Sequence, residues 1–200
     1  MPKKPKIEKD GENRFHGGGG LIVVCGPPFG GKNMIGTRIA ASLPYAVKLE
    51  AEDELSKKSE VWYSEGRFKA PIKNPQDKML EAAALLWEGS NVARTPVVVL
   101  VARFSTPATR RRAYKAACAA NVKFLLVQSR SANLRVLRQV TRYVLSAEQA
   151  TKKLKNVEEI VKQYKPVTNQ EAKQFPCLRL KGNVGDLDQL FASTLYKWIV

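Results

Sequence analysis

The strongest constraint on this chain is local. Residues 21–25, Leu-Ile-Val-Val-Cys, form a short apolar run that leads directly into Gly26-Pro-Pro-Phe-Gly-Gly31-Lys32-Asn33, and a helical pattern follows over 32–42. This is the frame G-x-x-x-x-G-K between a strand and a helix. Its glycines let the backbone curl so that N–H groups point at phosphate oxygens, the helix dipole favours negative charge, and the lysine reaches the terminal phosphates. A plain glycine turn ahead of a lysine is the competing reading, and the strand-loop-helix context favours the phosphate loop. The expected phosphate-binding residues are Gly26, Pro28, Gly30, Gly31, Lys32 and Asn33. Position 33 ordinarily carries a Ser or Thr hydroxyl for Mg²⁺, and the longer amide of Asn33 predicts a weakened or rearranged metal site.

Beyond the loop, short apolar runs alternate with longer helical stretches, which is the rhythm of β-α units around a parallel sheet. Strands are expected at 21–25, 45–50, 96–102, 122–128 and 177–181, and helices at 32–42, 75–88, 107–120, 133–144, 147–164 and 186–199. Start signals support several helices: Asn74 precedes Pro75, Ser105 and Thr106 precede Pro107, and Asp186 opens the last one. Together these predict an α/β three-layer domain with a five-stranded parallel sheet over residues 21–200. Residues 1–20 are polar and end in four glycines, and so are expected to form a disordered basic, Gly-rich tail.

The 200 residues carry a formal net charge of +16, which points to polyanionic partners such as nucleotide phosphate, nucleic acid or an acidic protein. The excess is concentrated. Residues 101–145 hold ten Lys and Arg and no acid. Arg110, Arg111 and Arg112 are consecutive on a helix and diverge by about 100° each, so they cannot all face one ligand. They are read as a basic surface for nucleic acid or protein, against the alternative of a solvated helix face. Interleaved stacking aromatics are missing from this segment, which argues against a single-strand binding platform. Three scattered cysteines and a single histidine exclude a His/Cys metal centre, and no protein metal ligand is assigned. Cys25 and Cys118 are expected to be buried thiols of a reducing, cytoplasmic compartment. No apolar run reaches the length of a membrane span, and no signal peptide is recognisable.

These motifs resemble the small P-loop kinases that include zeta toxin, chloramphenicol phosphotransferase and polynucleotide kinase. Gly26, Pro28, Gly31 and Lys32 match that family's loop, while Phe29 and Asn33 do not. The resemblance implies a P-loop NTPase fold, binding of ATP or GTP with Mg²⁺, and a catalytic role for Lys32. It puts the acidic run 49–54, with Glu50, Glu52 and Asp53, on the phosphoryl-acceptor side, where Asp53 is a candidate catalytic carboxylate. A solvated acidic loop is the alternative. An Arg-rich lid is implied near 130–150, with Arg138 and Arg142 closing over the phosphates as catalytic cations. Val101 stands where the family has its metal-associated Asp, and Arg103 where a Thr follows.

Three functions remain open on the sequence. One is a nucleoside-triphosphate-binding kinase-like protein that, if active, is a phosphotransferase or ATPase acting on a small-molecule or nucleic-acid hydroxyl. The second is a catalytically impaired pseudokinase with a regulatory or scaffold role through its basic helices. The third is a nucleic-acid-binding module.

Overall fold

The computed structural model describes residues 19–28, 30–51, 61–63, 66–68, 75–90, 95–129 and 147–180. Its centre is a strand that is apolar along its whole length. β1 (Gly20–Cys25) is flanked by β5 (Val97–Val101) and β6 (Lys123–Gln128), and residues 21–25 are fully buried. Such continuous runs suit a strand covered on both faces. β2 (Ala46–Ala51) pairs parallel outside β5, and β7 (Cys177–Arg179) pairs parallel outside β6. The expected five parallel strands are therefore present.

One edge departs from the expectation. β3 (Val61–Tyr63) pairs antiparallel with β2 and β4 (Gly66–Phe68) antiparallel with β3, giving a seven-stranded sheet in the order β4-β3-β2-β5-β1-β6-β7. The domain also starts slightly early, because Gly19 and Gly20 are buried and Gly20 already belongs to β1.

Strand order explains the layers. The chain moves outward from β1 to β2 through α1 (Lys32–Ser42), then back through α2 (Pro75–Glu88) to β5 and through α3 (Pro107–Ala119) to β6. Right-handed crossovers running in opposite directions must lie on opposite sheet faces. Accordingly, Ile35, Ile39 and Leu43 of the α1 region pack with Ile22, Val24, Val99 and Val101 on one face. Met79, Ala83 and Trp87 of α2 and Ala113 and Ala117 of α3 pack with Leu21, Val23 and Leu100 on the other. Each fully buried large apolar side chain contributes about 1.5–3 kcal/mol, so these two clusters dominate the folding energy. α3 begins as its sequence predicts: Thr106 and Thr109 form a capping box and Pro107 occupies the first turn. The arrangement reverses direction at β1, where open α/β sheets characteristically place a ligand crevice.

α3 also corrects two expectations. It buries Arg110, Ala113 and Ala117, a stripe spaced by three and four residues along one helix side. Arg110 is fully buried and is not part of a basic surface. Cys118 lies one residue past the stripe and is exposed, whereas Cys25 is buried as expected and Cys177 is half-buried. Burial pushes the Cys25 thiol up to about 12, only partly offset by its contact with Tyr164. Because the thiolate is the reactive form, a maleimide probe at neutral pH is expected to label Cys118 rapidly and Cys25 only after unfolding. Peptide mapping that finds rapid native labelling of Cys25 would contradict this burial.

Candidate functional site: the loop after the central strand

The loop leaves β1 at Cys25 and is held by its neighbours. The Gly26 N–H donates to the Arg103 carbonyl at 3.3 Å, and the Gly30 N–H closes a turn onto the Pro27 carbonyl at 3.2 Å. Pro28 and Gly30 are buried, while Phe29 lies outside the described residues. Gly31 sits in the left-handed region, with φ 80°, and its carbonyl accepts from Ile35 at 3.0 Å to start α1. That backbone conformation favours glycine, because a Cβ there crowds the adjoining backbone carbonyl. No side chain caps the first turn of α1 and no acid lies in it, so its positive end faces the loop without a side-chain anion. Lys32, at 5% exposure, is buried at the helix start, and Asn33 beside it is exposed.

On the β2 side, Glu50 is the described part of the acidic run. Its carboxylate forms an ion pair with Lys48 at 2.8 Å, and Lys48 also donates to Thr37 of α1 at 3.0 Å. Glu50, Val101 and Val24 are register partners across β2, β5 and β1, so they form one row near the carboxyl ends of the parallel strands. Val101 is fully buried against α1, where a Cβ on Gly36 would lie 2.2 Å from Val101 Cγ2. The remaining catalytic and acceptor-side expectations, Glu52, Asp53, Arg138 and Arg142, lie outside the described residues.

Mg²⁺ is the ion the fold implies. The two positions that would hold it offer an exposed amide at Asn33 and a buried isopropyl group at Val101, and the neighbouring carboxylate of Glu50 is already engaged by Lys48. Among the described residues, these positions offer Mg²⁺ no hydroxyl and no carboxylate that is not already ion-paired, and Glu52, Asp53 and Glu54 lie outside them. Among the described residues, no cluster of three or more His, Cys, Asp or Glu could hold a metal ion.

The site has a second tier that the sequence reading missed. Arg110 makes a bidentate pair with Glu171, through Nε at 2.8 Å and Nη2 at 3.0 Å, and its Nη1 donates to the carbonyls of Phe104 and Lys165, each at 2.9 Å. Glu171 lies on a short helix, α5 (Asn169–Ala172), which follows α4 (Ala147–Gln163), and forms a capping box with Thr168. The strap between these helices is tied to the strand ends around the loop. Tyr164 Oη lies 3.6 Å from Cys25 Sγ, the Lys165 N–H donates to Ser105 at 2.9 Å, and the Val167 N–H donates to Gln128 Oε1 at 3.2 Å. The sequence does carry a signal for α5, because Thr168-x-x-Glu171 has the spacing of a capping box.

With Arg110 internal, the α3 surface is less basic than expected. Arg111 and Lys115 are exposed, and Arg112 pairs with Asp77 of α2. No described helix is long and apolar enough to cross a membrane.

No protein-family model matches the chain, and no curated protein does. Similarity appears among solved structures. Kti12 of Chaetomium thermophilum, in complex with ADP-AlF3, superposes with a TM-score of 0.60 at 14% identity, over 90% of this chain and 99% of that one. APE1195 gives a TM-score of 0.57 at 18% identity, over 90% and 95%. Strand order, the strand-loop-helix unit after β1 and these superpositions agree: the chain has the α/β three-layer fold of the small P-loop kinase-like proteins.

Proposed function

We propose that this chain binds a nucleoside triphosphate, ATP or GTP, with its phosphates in the loop 26–33. The observation that carries the reading is the left-handed Gly31 delivering a buried Lys32 to the uncapped start of α1. In this reading the backbone N–H groups of 31–33 grip phosphate oxygens, and Lys32 reaches the terminal phosphates. Arg138 and Arg142 contribute further cations from the basic segment. The complex of Kti12 with ADP-AlF3 supports the reading for a protein of the same fold.

Binding without efficient phosphoryl transfer is favoured over an active kinase. Transfer to a hydroxyl requires a group to take the proton and charge neutralisation around the phosphoryl group. Among the described residues, Glu50 is held by Lys48 and Val101 supplies no oxygen ligand, while Asp53 lies outside them. The reading is then of a catalytically impaired pseudokinase with a regulatory or scaffold role.

The test is thermal unfolding with and without nucleotide. At about 100 times its Kd a ligand of the folded state adds about 2.7 kcal/mol, a rise on the order of 5–10 °C for a chain of this length. Lys32→Ala is expected to abolish most of the rise while leaving the unliganded Tm near that of the parent. Identical curves for both proteins with millimolar ATP and GTP would overturn the proposal.

A further inference from the structure

We propose that Arg110 is a positioning residue for the phosphate loop: it locks the turn at Phe104 in a strained conformation that aims the Arg103 carbonyl at the Gly26 N–H, and Glu171 locks Arg110. The inference rests on the nucleotide reading of the loop and adds a control on it, exerted through the strap that carries Glu171.

The loop begins where two strand exits meet. Gly26, its first residue, donates its N–H to the Arg103 carbonyl at 3.3 Å, and the Ala102 N–H donates to the Val24 carbonyl at 3.3 Å, so residues 102 and 103 continue alongside β1 after β5 has ended. Ser129 closes the other side, with its N–H on the Cys25 carbonyl at 2.8 Å. The direction of the Arg103 carbonyl therefore helps to decide where the loop starts.

That direction is set under strain. Phe104 is fully buried with φ 39°, a conformation that a bulky residue rarely adopts and that persists only where surrounding structure enforces it. The φ bond of Phe104 orients the peptide plane that holds the Arg103 carbonyl. Relaxing φ to the ordinary right-handed range would swing that plane by roughly 100° relative to the Phe104 side chain and carry the carbonyl away from Gly26.

Arg110 opposes that relaxation. The Phe104 side chain is packed in the core cluster on the α2 and α3 side of the sheet, and its carbonyl accepts from Arg110 Nη1 at 2.9 Å. The next carbonyl, of Ser105, accepts the Lys165 N–H at 2.9 Å, and Thr106 then caps α3. Arg110 has no exposure, and it is fixed in turn by its bidentate pair with Glu171 and its bond to the Lys165 carbonyl. A planar fork suits this task because it serves several acceptors in set directions, which the point charge of a lysine does not. One side chain thus joins α3, the exit of β5 and the strap 164–171, and the same strap touches the last residue of β1 through Tyr164 and Cys25. The strain sits beside the bond that seats the loop, the kind of place where stored strain serves a binding site. Loosening the strap then weakens phosphate binding, and by reciprocity bound phosphate tightens the strap.

Calorimetric titration with ATP, at a temperature where circular dichroism shows each protein fully folded, separates positioning from stability. Arg110→Met combined with Glu171→Leu leaves no buried charge unpaired. This double variant is expected to bind ATP ~10-fold or more weakly than the parent, within the range of coupling between two parts of one fold. A pair with a purely structural role would lower Tm and leave the affinity of the folded protein unchanged, and that result would overturn the proposal. Hydrogen exchange on the parent gives a second measurement that needs no variant to fold. Saturating ATP should slow exchange in the peptides spanning 164–171 as well as in the loop, at the Lys165 and Glu171 N–H groups among others, by a factor similar to the loss of affinity. Slower exchange confined to residues 26–33 would overturn the proposal and leave the nucleotide reading standing. Absence of ATP binding by the parent would overturn the nucleotide reading and this inference with it.

Discussion

Glu171→Ala is expected to destabilise the fold by about 3–5 kcal/mol, the range for breaking a buried ion pair by removing one partner. For a domain with a typical unfolding free energy of about 5–15 kcal/mol, that is enough to leave it marginal. Arg110 has no exposure, so without Glu171 its charge would be left with two carbonyl acceptors in a dry interior. The same substitution removes the Thr168 capping box and loosens the strap that reaches Cys25, Ser105 and Gln128. Arg110→Met combined with Glu171→Leu is expected to be less damaging than the two single changes added together, because no buried charge is left alone. Additive losses in chemical denaturation would show that the pair is not coupled.

Acid provides an independent reading of the same contact. Burial acts first to raise the Glu171 carboxyl, but the Arg110 hydrogen bond and the Thr168 N–H outweigh it and hold the group below its ordinary value of 4.5. A carboxyl with a depressed native pKa contributes stability above its unfolded value and loses it as pH falls through the native one. The parent should therefore lose stability steeply below about pH 4.5, and Glu171→Gln should show a flatter profile. Parallel pH profiles for the two proteins would remove Glu171 from the explanation.

The difference between what the sequence discloses and what it hides follows from range. The phosphate loop is legible because its glycines, lysine and flanking periodicities lie within about a dozen residues, and the five parallel strands are legible as apolar runs of strand length. The hairpin β3–β4 is harder: its strands have three residues each, and their aromatics suit a pocket wall equally well. The two-residue spacing between 63 and 66 was the available hint. Arg110 shows the opposite failure. Its charge suggests solvent, yet its spacing to Ala113 and Ala117 places it on the buried stripe, and its partner is 61 residues away. Lys48 against Thr37 and Gly36 against Val101 depend on how α1 crosses the sheet, which no local pattern encodes. What was least legible, the pairing of Glu50 and the packing of Val101, is also what changes the chemistry inferred for the loop.

Gly26→Ala is expected to damage stability and phosphate binding together. An added Cβ would lie 1.8 Å from Ser129 Oγ and 3.0 Å from Ser129 Cβ. Ser129 has little room to withdraw, being buried at the exit of β6 with its N–H donating to the Cys25 carbonyl at 2.8 Å. Rotating the hydroxyl away would relieve the shorter contact but leave the one to Cβ tight, so the loop or the β6 exit must give by a few tenths of an ångström. Overpacking of this kind costs about 1–3 kcal/mol, and a phosphate site built from backbone N–H groups is sensitive to small displacements of its loop. The nucleotide-induced rise in Tm should accordingly be lost or much reduced in Gly26→Ala. Adding Ser129→Gly leaves the Cα of residue 129 as the nearest atom, at 3.7 Å, which is ordinary contact. The double variant should recover a substantial part of both losses despite the flexibility that the second glycine introduces. A Gly26→Ala protein with the parental Tm and nucleotide response would mean that the loop is not positioned by β6. Recovery by Ser129→Gly would instead identify the β6 exit as the wall against which the loop that leads to Lys32 is set.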